Sequence, residues 1–176
     1  MAENNTTENT ELDWAKDVNN AEKEDHSELD WIDDLKEMNK ELEERILEAN
    51  KDKTLVKWHK LLPDLMGADI LMVGQFGGED DNGQRRLNIL MMQKDNHAIV
   101  PFFTNPARIS VLKTSANSQF DVMKVNTVRF FQSIAGKPCV LDPMSEYARV
   151  FTPFDMRVLA AENIDKAPPL PVPENA

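Results

Sequence analysis

The sequence predicts an α+β fold of the broad α/β class, with a single mixed, largely antiparallel sheet and flanking helices, preceded by an acidic helical arm. The chain has 176 residues, about the length of a single domain, and a formal net charge of −11. Residues 1–53 hold 18 acidic and 7 basic residues, whereas residues 54–176 hold 13 of each. In this second part, short apolar runs alternate with turn residues, which is typical of strands and short helices in a compact body.

These shifts in composition divide the chain into three predicted segments. Residues 1–53 form an acidic arm, partly disordered and partly helical; residues 54–166 form the globular domain; residues 167–176 form a tail with four prolines. The first ten residues have almost no apolar side chain to bury, so we expect them to be disordered. The prolines favour an extended, polyproline-like tail.

One motif occurs twice in the arm. A hydroxyl residue, Glu-Leu-Asp-Trp and a further Asp with an aliphatic neighbour occupy residues 10–18 and again residues 27–35. The Ser or Thr stands three residues before an Asp, as in a capping box, so each copy is predicted to begin a helix. Duplication favours a short recognition motif, in which Trp and Leu enter an apolar groove of a protein partner and the carboxylates pair with its basic rim. The predicted partner-binding residues are Leu12, Asp13, Trp14, Asp17, Leu29, Asp30, Trp31, Asp34 and Leu35.

The second copy is predicted to continue as a helix over residues 28–50. Its apolar stripe recurs every three or four residues, at Trp31, Leu35, Met38, Leu42, Ile46 and Ala49. The other face consists mainly of Glu and Lys. The pattern leaves three packing partners open for this stripe: the body, a second copy of the helix, or another protein.

Four helices are predicted in the body, at residues 57–66, 106–112, 127–134 and 154–161. The first is expected to be interrupted near Pro63. Each of the others begins at a predicted cap: Asn105, then Asn126 or Thr127, then Thr152. Gly136 is expected to end the third of them, where a left-handed residue is favoured.

Five strands are predicted, at residues 68–76, 87–93, 98–104, 122–125 and 138–141. Turn residues separate the first three strands and predict an antiparallel meander. The last strand is apolar throughout, which favours a buried position.

Two motifs in the body resemble a known family. A strand that ends in Pro101-Phe102-Phe103-Thr104-Asn105 precedes a short helix, and the run Gly-Lys-Pro-Cys-Val-Leu-Asp-Pro at residues 136–143 leads to a closing helix after residues 151–153. Over about residues 56–162 this arrangement resembles the N-terminal domain of the SseB family. The resemblance implies no established catalytic residues. The chain departs from the family pattern at Asp142, where the family usually has Asn, and in its duplicated acidic arm.

The sequence offers little that points to catalysis. Cys139 is the single cysteine and is flanked by Pro and two aliphatic residues, which predicts a buried structural side chain. None of His26, His59 and His97 has a spacing that implicates it as a base for Cys139, and no metal-binding pair is present in the sequence. We therefore predict no catalytic residues, no metal, no cofactor and no enzymatic activity. A small cysteine-dependent enzyme that uses Cys139 is the alternative of another class.

The charge of the arm predicts the kind of partner. An acidic surface repels phosphate backbones, so we expect no nucleic acid and a basic protein as the partner. The most concrete prediction is an immunity-type protein that neutralises a toxin; the alternative is a regulatory or scaffold protein linked to amino-acid metabolism. No apolar run approaches the roughly 18 residues of a membrane span, and no signal peptide is apparent, so we predict a cytoplasmic chain without a membrane partner. A homo-oligomer is compatible with the sequence.

Overall fold

The computed structural model describes residue 35 and residues 37–114, 120–134 and 136–170. Within these residues the helices are α1 Lys40–Lys51, α2 Val56–Gly67, α3 Pro106–Ile109, α4 Thr127–Ser133 and α5 Pro153–Glu162. The strands are β1 Asp69–Glu79, β2 Arg85–Ile89, β3 Met92–Lys94, β4 His97–Phe103, β5 Asp121–Asn126, β6 Cys139–Leu141 and β7 Arg149–Phe151. Short 3-10 turns follow at Ser110–Thr114 and Ile164–Lys166. None of the described helices is long and apolar enough to cross a membrane.

The seven strands form one mixed sheet. β1 pairs antiparallel with β2, β4 and β5, and β3 pairs antiparallel with β4. β4 and β6 run parallel, with Val100 opposite Cys139, and β6 pairs antiparallel with β7. The predicted fold class, a largely antiparallel mixed sheet with flanking helices, is therefore confirmed.

The predicted meander is wrong in its middle strand. Residues 87–93 belong to two strands, because pairing with β1 ends near Leu90. The Leu90 amide donates to the Val73 carbonyl of β1 at 2.9 Å. β2 then remains with β1 while β3 pairs with β4. The short edge strand β7 was not predicted. The predicted interruption at Pro63 is also wrong, since α2 runs through it; a proline removes only one amide donor from the helix.

The predicted caps are confirmed. Asn105 accepts from the Ala107 amide at 2.9 Å, and Asn126 accepts from the Val128 amide at 3.1 Å. Thr152 forms a capping box with Asp155 at the start of α5. Gly136, just after α4, has a φ of +87°, the left-handed conformation expected of it.

Apolar side chains cover both faces of the sheet. Successive residues of β1 point to opposite faces, so Ile70 joins the main core and Leu71 joins a second cluster. The main core lies between the sheet and α1, α2, α4 and α5; its largest fully buried side chains include Trp58, Phe102 and Phe130. The second cluster consists of Leu71, Val73, Phe103, Ile109 and Leu112.

The helix predicted over residues 28–50 is shorter where the structure describes it. Residues 37–39 form turns, and α1 begins at Lys40. The turn ends at Asn39, whose φ is +58° and whose side-chain amide donates to the Asp69 and Thr104 carbonyls at 2.7 and 2.9 Å. The packing partner of α1 is the body, because its Leu42, Ile46 and Ala49 are buried in the main core.

Candidate functional site

The structure describes only one of the nine residues predicted to bind a partner. Eight lie outside the described residues: Leu12, Asp13, Trp14, Asp17, Leu29, Asp30, Trp31 and Asp34. The ninth, Leu35, is partly buried and packs against the second apolar cluster. Its carbonyl accepts from the Met38 amide at 2.8 Å. Leu35 therefore attaches the start of the described chain to the sheet.

A groove lies between α2, β7 and α5. It has a volume of about 620 Å³, within the range of ligand and peptide pockets. Four large apolar residues on its lining remain exposed: Leu55, Val150, Phe154 and Val158. Phe154 is the most accessible of them, with 65% of its surface exposed. We call these four residues and the space between them the apolar groove.

Two local features explain why Val150 and Phe154 are exposed: the alternation of side chains along β7 and the position of Phe154 at the start of α5. In β7, Phe151 points into the main core, so its neighbour Val150 points outward. Phe154 lies in the first turn of α5, next to the Thr152 cap, and its side chain is left on the groove side. The Trp58 ring closes the floor, with its Nε1 donating to the Asn50 Oδ1 at 3.1 Å.

Arg149 lies in the same groove. Its guanidinium carbon is 4.3 Å from the centre of the Trp58 ring, a cation–π stack. Burial lowers the pKa of Arg149, and the nearby charge of Asp155 offsets part of that shift. Among the described residues, no carboxylate oxygen lies within 4 Å of a nitrogen of this guanidinium, which lines the groove.

A second group of polar side chains lies at the carboxyl ends of β4 and β6. Thr104 and Asp142 are fully buried and Glu43 nearly so. The Thr104 hydroxyl contacts the Asp142 Oδ2 at 2.6 Å and the Glu43 Oε1 at 2.7 Å. The Arg108 Nε donates to the same Glu43 oxygen at 3.0 Å, and its guanidinium stacks on the Tyr147 ring at 3.9 Å. We call Glu43, Thr104, Arg108 and Asp142 the polar cluster.

Of the comparisons with known proteins, the one with family models gave a match. The model of the SseB protein N-terminal domain matches residues 42–157, more than half of the chain. The chain belongs to the SseB family. No curated protein and no solved structure gave a match. The matched range of this SseB domain starts inside α1 and ends inside α5, so it includes the whole polar cluster and most of the apolar groove.

Cys139 of the SseB domain is buried in the main core, as predicted. Burial, and to a smaller extent the charge of Asp155, raises the pKa of the Cys139 thiol above its ordinary value. The thiol contacts the Met156 sulfur at 3.2 Å. A nucleophilic cysteine needs the opposite: a lowered pKa and access to substrate. In the described part of the chain, no group of three His, Cys, Asp or Glu side chains could hold a metal ion.

Replacing Cys139 tests the cysteine-enzyme alternative. Cys139→Ala is expected to lower the free energy of unfolding by about 1 kcal/mol, because only a small apolar side chain is lost from a packed strand. Urea unfolding measures this change. Binding to any partner should be unchanged in the folded variant, and loss of function without loss of fold would point to catalysis by Cys139.

Proposed function

We propose that this SseB-family chain is a non-enzymatic protein-binding module that holds its partner with the apolar groove and the acidic arm. The observation that carries the proposal is the gathering of four exposed apolar residues along one groove. Exposed apolar patches of this kind commonly mark interaction sites on folded proteins. Arg149, a residue type that is enriched at binding hot spots, lines the same groove and is held against the buried Trp58 ring.

The partner is a basic protein that presents an apolar or aromatic side chain. The composition of the arm favours a positively charged partner, because residues 1–53 contain 18 acidic and 7 basic residues. Charges of this kind speed the encounter with a protein of opposite charge. The groove then accepts an apolar side chain of the same protein, and this contact slows dissociation of the complex.

An immunity-type role is the most concrete form of this proposal. In that role the acidic chain covers a basic toxin and prevents its action. A regulatory or scaffold protein linked to amino-acid metabolism uses the same surfaces, so the biological effect of the partner distinguishes the two. If the partner is a toxin, the host should stop growing when the partner is produced alone and should grow when the partner is produced together with this chain.

The experiment uses the full chain with an affinity tag as bait in its own host, with mass spectrometry of the co-purified proteins. The identified partner is then produced and titrated against two variants. Phe154→Ser removes the most exposed groove residue and is expected to raise the dissociation constant about 30-fold, the effect of losing a hot-spot side chain.

Phe76→Ser is the matched control, since Phe76 is 49% exposed on β1 and does not line the groove. This variant should bind like the unchanged chain. Both side chains are about half exposed or more, so each substitution should lower the free energy of unfolding by only about 1 kcal/mol. Equal affinity for Phe154→Ser and Phe76→Ser would refute the groove as a contact surface.

A further inference from the structure

One hydroxyl group joins two buried carboxyl groups in the polar cluster. The Thr104 Oγ1 lies 2.6 Å from the Asp142 Oδ2 and 2.7 Å from the Glu43 Oε1, and the Thr104 amide donates to the Asp142 Oδ1 at 2.9 Å. A hydroxyl has a single proton to donate, and an ionised carboxylate can only accept. Both short contacts are therefore satisfied only if one carboxyl group carries a proton.

The surroundings of the two carboxyl groups show which one holds it. The Glu43 Oε1 also accepts from the Arg108 Nε at 3.0 Å, a contact that stabilises the ionised form. Asp142 is fully buried, and neither of its side-chain oxygens has a charged donor among the described residues. The proton thus belongs on the Asp142 Oδ2, from which it is donated to Thr104, while Thr104 donates its own proton to Glu43.

We propose that Asp142, Thr104 and Glu43 form a proton-binding site, which holds one proton on Asp142 and releases it to solvent water as the pH rises above neutral. After release, two carboxylates face one hydroxyl, and one of the short contacts has no proton. The carboxylate of Asp142 then repels that of Glu43. Since Glu43 belongs to α1, this repulsion weakens the attachment of α1 to the ends of β4 and β6.

The electrostatic surroundings support a proton affinity near neutrality. Burial raises the pKa of Asp142 to about 7; the hydrogen bonds from Thr104 lower it, the charge of Glu43 raises it and Arg108 lowers it. Glu43 on α1 and Arg108 on α3 are the charged groups that act on Asp142, and Tyr147 in the β6–β7 loop is the titratable group that contacts Arg108.

The direction of the stability change follows from this shift. The pKa of Asp142 is raised from 3.8 to about 7 on folding, so the folded chain binds the proton more tightly than the unfolded chain. The stability that the proton provides is fully present below about pH 4 and is lost as the pH rises towards about 7. Since α1 is the last part of the acidic arm, the part of the fold that is loosened is the attachment of the arm to the sheet.

Asp142→Asn in the full chain tests the proposal. Its amide can donate to the Thr104 hydroxyl and its carbonyl can accept from the Thr104 amide, so the variant imitates the protonated acid at every pH. We expect the unfolding constant of the unchanged chain, relative to Asp142→Asn, to rise about tenfold per pH unit between about pH 4 and pH 7. Urea unfolding at a series of pH values measures this ratio. A ratio that does not vary with pH would overturn the proposal.

A direct measurement keeps the proposal testable if Asp142→Asn does not fold. Carbon-13 NMR of the aspartate carboxyl groups in the unchanged chain should show one signal with a titration midpoint near pH 7. Glu43→Gln removes the repelling charge and should shift that midpoint to lower pH. If every aspartate signal of the unchanged chain titrates below pH 5, Asp142 does not hold the proton.

Discussion

A chain that starts at Thr54 is expected not to fold, whereas a chain that starts at Glu37 is expected to unfold in one cooperative transition. The boundary predicted from composition, between residues 53 and 54, falls between α1 and α2, which pack against each other. The chain from Thr54 lacks Leu42, Ile46 and Ala49, all of which are buried in the main core. We therefore propose that the folded unit begins near residue 37.

The expected loss is large compared with the stability of a typical domain. Removing a buried Leu or Ile side chain costs about 2–5 kcal/mol, and the stability of most domains is only about 5–15 kcal/mol. The truncation also removes Glu43, which leaves the Thr104 hydroxyl and Arg108 without their shared acceptor. Thermal unfolding followed by circular dichroism, with a dye that binds exposed apolar surface, distinguishes the two chains.

Point variants of the full chain provide a control that does not depend on truncation. Ile46 is fully buried, whereas its neighbour Leu47 is only partly buried. Ile46→Ala should therefore destabilise the fold by several times more than Leu47→Ala. Cooperative unfolding of the chain from Thr54, at the temperature seen for the chain from Glu37, would return the boundary to residue 54.

Features that depend on neighbours in sequence could be predicted. Asn105, Asn126 and Thr152 cap helices by contacts with amides two or three residues away, and Gly136, shortly after the end of α4, has the left-handed conformation predicted for it. The family resemblance rested on the strands before Thr104 and Asp142, and these strands do run side by side. Local chemistry was sufficient in each of these cases.

Features that depend on distant residues could not be predicted. Glu43 lies on the helix face expected to be solvated, yet it is buried. Thr104, which directly follows β4, and Arg108 on α3 both donate hydrogen bonds to its carboxylate. The apolar groove brings Leu55 beside Val150 and Phe154, about a hundred residues later in the chain. The sequence did mark Asp142 as a departure from the family pattern, but only the contacts of Thr104 show its consequence.

The double variant Trp14→Ala/Trp31→Ala is expected to raise the dissociation constant for the protein partner at least 30-fold. The two Leu-Asp-Trp copies are the proposed contacts of the arm, and truncation of a hot-spot Trp commonly costs about 2 kcal/mol or more. Isothermal titration with the partner identified above measures the change. Changing Asp13, Asp17, Asp30 and Asp34 to Asn should mainly slow association and reduce its salt dependence, because exposed charges steer encounter more than they hold a complex.

The single variants show whether one copy or both are used. If the copies bind together, each single Trp→Ala variant should lose much less affinity than the double variant, because the remaining copy keeps the arm at a high effective concentration. If only the second copy binds, Trp14→Ala should bind like the unchanged chain. Thermal unfolding of the same variants addresses the opposing hypothesis, in which Trp31 packs on the body: Trp31→Ala would then lower the unfolding temperature without lowering affinity. Unchanged affinity in the double variant would remove the arm from the binding surface and leave the apolar groove as its proposed centre.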